Sequence, residues 1–388
     1  MLRLQMRNVR KLVGIKSIFY TLAFIFCTEA FILWTIFGNR ELRIDGEIRK
    51  EELFETNISL VNYPANHIPT PLFAYENEDL CRSNLEDLVL ILIPSRVLAF
   101  DKRVVVRHTW TDVLTYSRRA VWNYKLVFMV SLPANKYEQQ IIQTENELWG
   151  DIVVLNLRDS YYKLTIQMLM SFEWVHRHCS NSKMVYKADD DTYINLAMLE
   201  EIISNRFKGN VGIRRLTDEP IFVGGYCTEG NPVFRTADEF TRRWVVTQEE
   251  YPSQSYPPCC RGAFYFISTS LTSKIARNCP YHCTLQTNRN VKSQNCFWKF
   301  EDVFLGSCLS SISPKPASVN VQNVFWLSDE TEKPASLYES TAVIHPLKSV
   351  SDILTHHAKY QSISRKRLKE KIDRHMKNLV SNISLKLG

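Results

Sequence analysis

The chain has 388 residues, 45% hydrophobic and 12% aromatic, enough for one large globular domain, and it contains no long internal repeat or low-complexity segment. Its net charge of +7 gathers at the two ends. Without dense interleaving of aromatic and basic residues, that charge does not describe a nucleic-acid-binding surface.

The first predicted element is a membrane span. Ile18 to Phe37 is apolar apart from Thr21, Thr28, Glu29 and Thr35, and a helix crosses a bilayer with roughly 20 such residues. Arg3, Arg7, Arg10, Lys11 and Lys16 precede it with no acidic residue among them. The positive-inside rule then leaves residues 1–17 as a cytosolic tail and 18–37 as a type II signal anchor. Cleavage is the alternative, because Thr28-Glu29-Ala30 resembles a small-x-small site, but the apolar run continues through Trp34. Residues 38–87 are rich in Glu, Asn and Pro with weak periodicity, and read as a stem. Two sequons, at Asn57 and Asn382, agree with a lumenal compartment. Nine of the ten cysteines lie beyond the anchor, where disulfides persist. The odd number leaves one free or intermolecular, and so leaves a disulfide-linked homodimer open. Cys279-Pro-Tyr-His282-Cys283 lacks a second ligand pair at finger-like spacing, which favours a disulfide over zinc.

Behind the stem, residues 88–358 alternate apolar runs and helical patterns. Leu88–Pro94, Tyr124–Leu132, Ile152–Leu155 and Met184–Lys187 are short continuous apolar runs, as expected of strands covered on both faces. Lys136–Trp149 and Leu164–His178 carry apolar residues near helical spacing. Strands separated by such helices predict an α/β fold with a mostly parallel sheet and a ligand site at the strand C-terminal ends. Residues 359–388 read as a basic, solvated tail.

Asp189-Asp190-Asp191 lies at such an end, directly behind the run that starts at Met184. Adjacent like charges raise one another's pKa unless something cationic neutralises them. Strand alternation would put Asp189 and Asp191 on one side and Asp190 on the other, an arrangement suited to a hard divalent cation shared with a nucleotide diphosphate. A solvated acidic loop capping the following helix is the plainer alternative. A second acidic pair, Glu301-Asp302, precedes an apolar turn where a helix N-terminus favours negative charge. Sugar transfer to a hydroxyl needs a carboxylate base, which such a residue could provide; the same base acting on water would give hydrolysis.

Five blocks in order also resemble glycosyltransferase family 31, the β-1,3-galactosyltransferases and β-1,3-N-acetylglucosaminyltransferases. Lys102 to Trp110 resembles its Arg-x-x-x-Arg-x-x-Trp block, and Asp159-Ser160-Tyr161 to Thr165 its Asp-Ser-Tyr-x-x-Leu-Thr segment, with Glu145 and Asp151 ahead of it. Lys187 to Asp191 resembles Lys-x-Asp-Asp-Asp, Tyr256 to Gly262 resembles Tyr-Pro-Pro-Tyr-Cys-Ser-Gly, and Glu301 to Gly306 matches Glu-Asp-Val-x-x-Gly. The resemblance implies a GT-A-like fold behind the anchor, a Golgi membrane location, a UDP-sugar donor and a glycan acceptor on a glycoprotein or glycolipid. It implies a manganese-dependent inverting transfer, with galactose favoured over N-acetylglucosamine or N-acetylgalactosamine. Asp191, Asp189 and His345 would bind the metal, Arg107, Lys187, Asp189 and Asp190 would serve the donor, and Asp302 would be the base. Cys259 and Arg261 depart from the pattern, which has tyrosine and serine there. A non-catalytic Golgi glycan-binding relative is the competing expectation.

Overall fold

A computed structural model describes residues 71–82, 87–112, 122–160, 163–207, 222–236, 242–287, 299–321, 325–327, 337–363 and 365–366. Contacts divide the chain into Met1–Ser59 and Leu60–Gly388, and every described residue belongs to the second unit. The cytosolic tail, the span at 18–37, most of the stem, both sequons and most of the basic tail lie outside the described residues. Among the described residues, no helix is long and apolar enough to cross a membrane.

The centre is an eight-stranded sheet in the order β1-β4-β3-β2-β5-β8-β7-β9. Its strands are β1 (Phe73–Tyr75), β2 (Leu88–Ser95), β3 (Asn123–Val130), β4 (Ile152–Leu155), β5 (Met184–Ala188), β7 (Phe222–Thr228), β8 (Cys259–Ser268) and β9 (Ala317–Asn320). The block β4-β3-β2-β5 is parallel, as the alternation of strands and helices predicts, whereas β8 runs antiparallel to both β5 and β7. The continuous apolar runs are explained by two cores. Val89, Ile91 and Ile93 of β2 enter one cluster, and Leu88, Leu90 and Leu92 enter the other. Side chains alternate across a strand, so a strand covered on both faces has no polar face to show.

One core lies under α3 (Leu164–His178), α5 (Thr269–Thr287) and α6 (Glu301–Ser311). The other takes in α1 (Phe100–Arg107), α2 (Lys136–Trp149), α4 (Leu196–Phe207) and a helical stretch at 350–363. The bounds of α2 have a local cause: the Asn135 side chain accepts from the Glu138 amide at 3.0 Å while Glu138 accepts from the Ala134 amide at 2.8 Å. A second, three-stranded sheet has the order β10-β11-β6, formed by Phe325–Leu327, Val343–His345 and Tyr193–Ile194.

Two domain boundaries shift. Residues 71–82, assigned above to the stem, belong to the domain: β1 pairs with β4, and Cys81 is disulfide-bonded to Cys179. A three-residue edge strand has too little periodicity to be seen in sequence, and cysteine pairing cannot be deduced from spacing. At the other end the domain runs past residue 358, since Tyr360 is buried and its ring stacks on Tyr193 at 5.2 Å. Cys227–Cys260 and Cys279–Cys308 are the other described disulfides, and all three are intramolecular. Cys279 therefore serves a disulfide, as its spacing suggested. Cys259 is a buried free thiol whose pKa burial pushes up to about 12.

Candidate active site

The acidic triplet leaves the C-terminal end of β5 in a tight turn. The Asp189 amide donates to Ala263 of neighbouring β8 at 3.1 Å, and the Thr192 amide donates back to Asp189 at 3.1 Å. β6 follows at once, and β11 pairs with it antiparallel, Ile344 opposite Tyr193. That pairing carries His345 to the triplet, with its Nε2 3.2 Å from Asp191 Oδ1 and 3.8 Å from Asp189 Oδ2. Ligand atoms of Asp189, Asp191 and His345 all lie within 4.8 Å of one another. Burial pushes the Asp191 carboxyl up, but its bond to His345 and the charge of Lys102 outweigh that and hold it below its usual range.

Asp190 points away from this group. It accepts from Lys102 Nζ at 2.9 Å and from Ser95 Oγ at 3.3 Å. Lys102 lies in the first turn of α1, on the wall of a cavity of about 580 Å³ beyond the ends of β2, β3 and β4. Arg96, Glu138, Arg158 and Asp159 also line it.

Lys187 is fully buried. Its ammonium donates to Asp189 Oδ1 at 2.5 Å and to the carbonyl of Gly262. Burial opposes its charge, yet Asp189, Glu301 and Asp302 prevail and its pKa is raised. It is thus an internal counter-ion that ties the metal-type cluster to β8, where the resemblance expected a donor-binding group. A β-carbon added at Gly262 would lie 3.3 Å from Glu301 Oε2 and 3.9 Å from the Asp302 Cβ, so the start of α6 packs directly on this strand.

Glu301 is buried and accepts from the Tyr265 hydroxyl at 2.6 Å through Oε1, while Oε2 has no hydrogen-bond partner among the described residues. Burial raises its pKa to about 7, with Lys187 and Tyr265 opposing the rise. Asp302 is partly exposed, and its Oδ1 accepts from the Val303 amide at 2.9 Å. Burial raises its pKa against the pull of that amide, Arg261 and Lys187. A carboxylate with a raised pKa is a stronger proton acceptor than an ordinary aspartate.

Arg107, expected at the donor, is not brought to this cluster. Its guanidinium forks onto Asp151 at 2.8 and 2.7 Å, reaches Glu145 at 2.8 Å, and lies over the rings of Trp149 and Phe128. Arg103 donates twice to the same Glu145, at 2.7 and 2.5 Å. The Arg-x-x-x-Arg block and the Glu145 to Asp151 segment are therefore one buried ionic network fixing α1 on α2. Asn57 and Asn382 lie outside the described residues. Lys102 and Tyr265 have no role assigned from sequence, and Glu301 only a place in the second acidic pair. The signal was weak, because their partners are set by strand order and not by spacing.

Comparison with known proteins supplies the remaining observation. The family model described as Galactosyltransferase matches residues 101–319. Beta-1,3-galactosyltransferase 5 of Pan troglodytes is 28% identical over 250 residues, 63% of this chain and 73% of that protein. Beta-1,3-galactosyltransferase 1 of Mus musculus is 28% identical over 244 residues, 63% of this chain and 66% of that protein.

Proposed function

The chain belongs to the galactosyltransferase family, and on that premise we propose that it moves a hexose, galactose foremost, from a UDP-sugar to a glycan hydroxyl, forming a β-1,3 bond with inversion. The observation that carries this reading is the convergence on one strand, β8, of the Asp189-Asp191-His345 cluster and the Glu301-Asp302 helix start. The linkage and the sugar are carried over from what the named relatives transfer.

Two carboxylates and an imidazole at this spacing suit a divalent ion such as manganese, and Asp189, Asp191 and His345 would hold it. When bound, such an ion supplies Lewis-acid stabilisation of the charge left on a diphosphate. The remaining steps belong to the chain. The cavity beside Asp190 offers Arg96, Lys102 and Arg158 to an anionic nucleotide. Asp302 accepts the proton of the acceptor hydroxyl as its oxygen bonds to the anomeric carbon, and the bond from that carbon to the diphosphate breaks on the opposite face. The same motif set, with the apolar run at 18–37, supports a type II Golgi membrane protein acting on lumenal glycoconjugates.

The test is transfer by the purified full chain in detergent, with manganese, a panel of UDP-sugars and a broad set of glycan acceptors, the product linkage being read by NMR. One donor should serve, and the bond should be β-1,3. Asp302→Asn should lower turnover by roughly 10²- to 10⁴-fold while UDP still binds, and Asp191→Ala should lose manganese dependence. Binding of UDP and manganese without transfer to any acceptor would favour the glycan-binding alternative. Failure to bind either would overturn the reading of the acidic triplet.

A further inference from the structure

Resting on that reading, we propose that Arg261 and Tyr226 form an acceptor subsite selecting a sugar that carries an anionic group, a carboxylate or a sulfate. Four observations meet here. Arg261 is exposed, and it stands on β8 one residue before Gly262, the glycine packed against Glu301 and Asp302. Its guanidinium has no hydrogen bond or ion pair among the described residues. Asp189 and Asp190 have cations of their own in Lys187 and Lys102, and Arg261 acts on Asp302 only through its charge, with no ion pair between them.

The guanidinium instead lies 5.7 Å from the centre of the Tyr226 ring. In the β7–β8 pairing Gly225 lies opposite Tyr265 and Cys227 opposite Cys260, so Tyr226 alone stands against residues 261–264, and the bulge is carried by β8 with Arg261 among its extra residues. Gly225 has φ 157, and a β-carbon there would lie 3.0 Å from the Phe264 carbonyl, so the bulge requires glycine. The Cys227–Cys260 disulfide pins the two strands immediately beside the pair. An aromatic face next to an open guanidinium fork offers a sugar ring apolar contact and its anionic substituent a charge-assisted hydrogen bond. The matching family block has serine at this position, which could offer neither the charge nor the fork.

The experiment compares acceptors matched except for one group: a methyl β-glucoside, the corresponding glucuronide and the glucoside 6-sulfate, with the matching galactoside set. Both kcat/KM and binding to the full chain loaded with UDP and manganese are measured, the latter by ligand-observed NMR. Wild-type protein should favour an anionic member by about tenfold or more, and added salt should shrink the ratio. Uronide against sulfate names the group. Arg261→Ser should bring the ratio close to one, while Arg261→Lys, which keeps the charge and loses the fork, should retain part of it. UDP affinity, measured separately, should survive both changes.

Equal use of neutral and anionic acceptors by a protein that binds UDP and transfers sugar would overturn the subsite and leave the transferase reading standing. If Arg261→Ser shifted the pH profile equally for all acceptors with the ratio unchanged, the guanidinium would act on Asp302 alone, and the subsite would again be overturned. Failure to bind UDP and manganese would overturn both.

Discussion

Glu301 shows how one residue can couple the site to pH. Its carboxyl sits at about 7 because burial disfavours the charged form and the neighbouring Asp302 and Asp189 add to that, against Lys187 and Tyr265. Between the ordinary carboxylate range and about 7, the folded protein keeps a proton that the unfolded chain releases. The contribution of Glu301 to stability therefore falls as pH rises through that window. Glu301→Gln should then gain on the parent protein between about pH 5 and about pH 8, by up to about 3 kcal/mol. Thermal melts of both proteins across that range check it; a constant difference in Tm would mean that Glu301 does not titrate there. Asp189 and Asp191 can be picked out by residue type and position, since adjacent carboxylates behind an apolar run demand a counter-charge, whereas Asp302 is singled out from its pair through the family resemblance. The expectation for Arg107 meets a different arrangement for an equally physical reason: its guanidinium is held by Glu145 and Asp151. An arginine in a recognisable block can serve a ligand or a buried carboxylate, and only the packing of α1 on α2 decides between Asp151 and a phosphate.

At the scale of elements, the approach of α6 to β8 sets the site. A β-carbon at Gly306 would lie 2.5 Å from the Pro258 carbonyl and 2.7 Å from the Cys259 Cβ, closer than real contacts allow, so this helix can seat only with glycine there. Gly306→Ala should cost about 1–3 kcal/mol of stability by overpacking. It should lower kcat more than donor affinity, because Asp302 rides on the same helix while the cavity beside Asp190 does not. Steady-state kinetics with UDP titrations separate the two effects. The parallel half of the sheet is legible in sequence: the bounds predicted for α2 and α3 are those observed and its four predicted strands differ by at most two residues at an end, whereas β1 and β6 to β11 have no predicted bounds. What the sequence hid was order. Insertion of antiparallel β8 between β5 and β7 follows no local pattern, and neither does the pairing of β11 with β6; these two facts bring Gly262 and His345 to the centre.

Over the whole molecule, stability draws on links between distant parts of the chain. Cys81–Cys179 closes a separation of 98 residues and fixes the start of the domain to the end of α3. Restricting so long a loop in the unfolded chain is worth several kcal/mol in the chain-entropy account. Cys81→Ser with Cys179→Ser should lower unfolding free energy by about 2–5 kcal/mol, read by denaturant titration. An unchanged midpoint would show that β1 and the packing around α3 hold this end unaided. The placement of His345 carries a different consequence. Two of the three groups in the metal-type cluster follow β5, and the third arrives only with β11, more than 150 residues later in the chain. During synthesis the cluster stays incomplete until β11 has been made and has paired with β6, so capture of a divalent ion by all three groups would report that this pairing has formed, a built-in readout of folding.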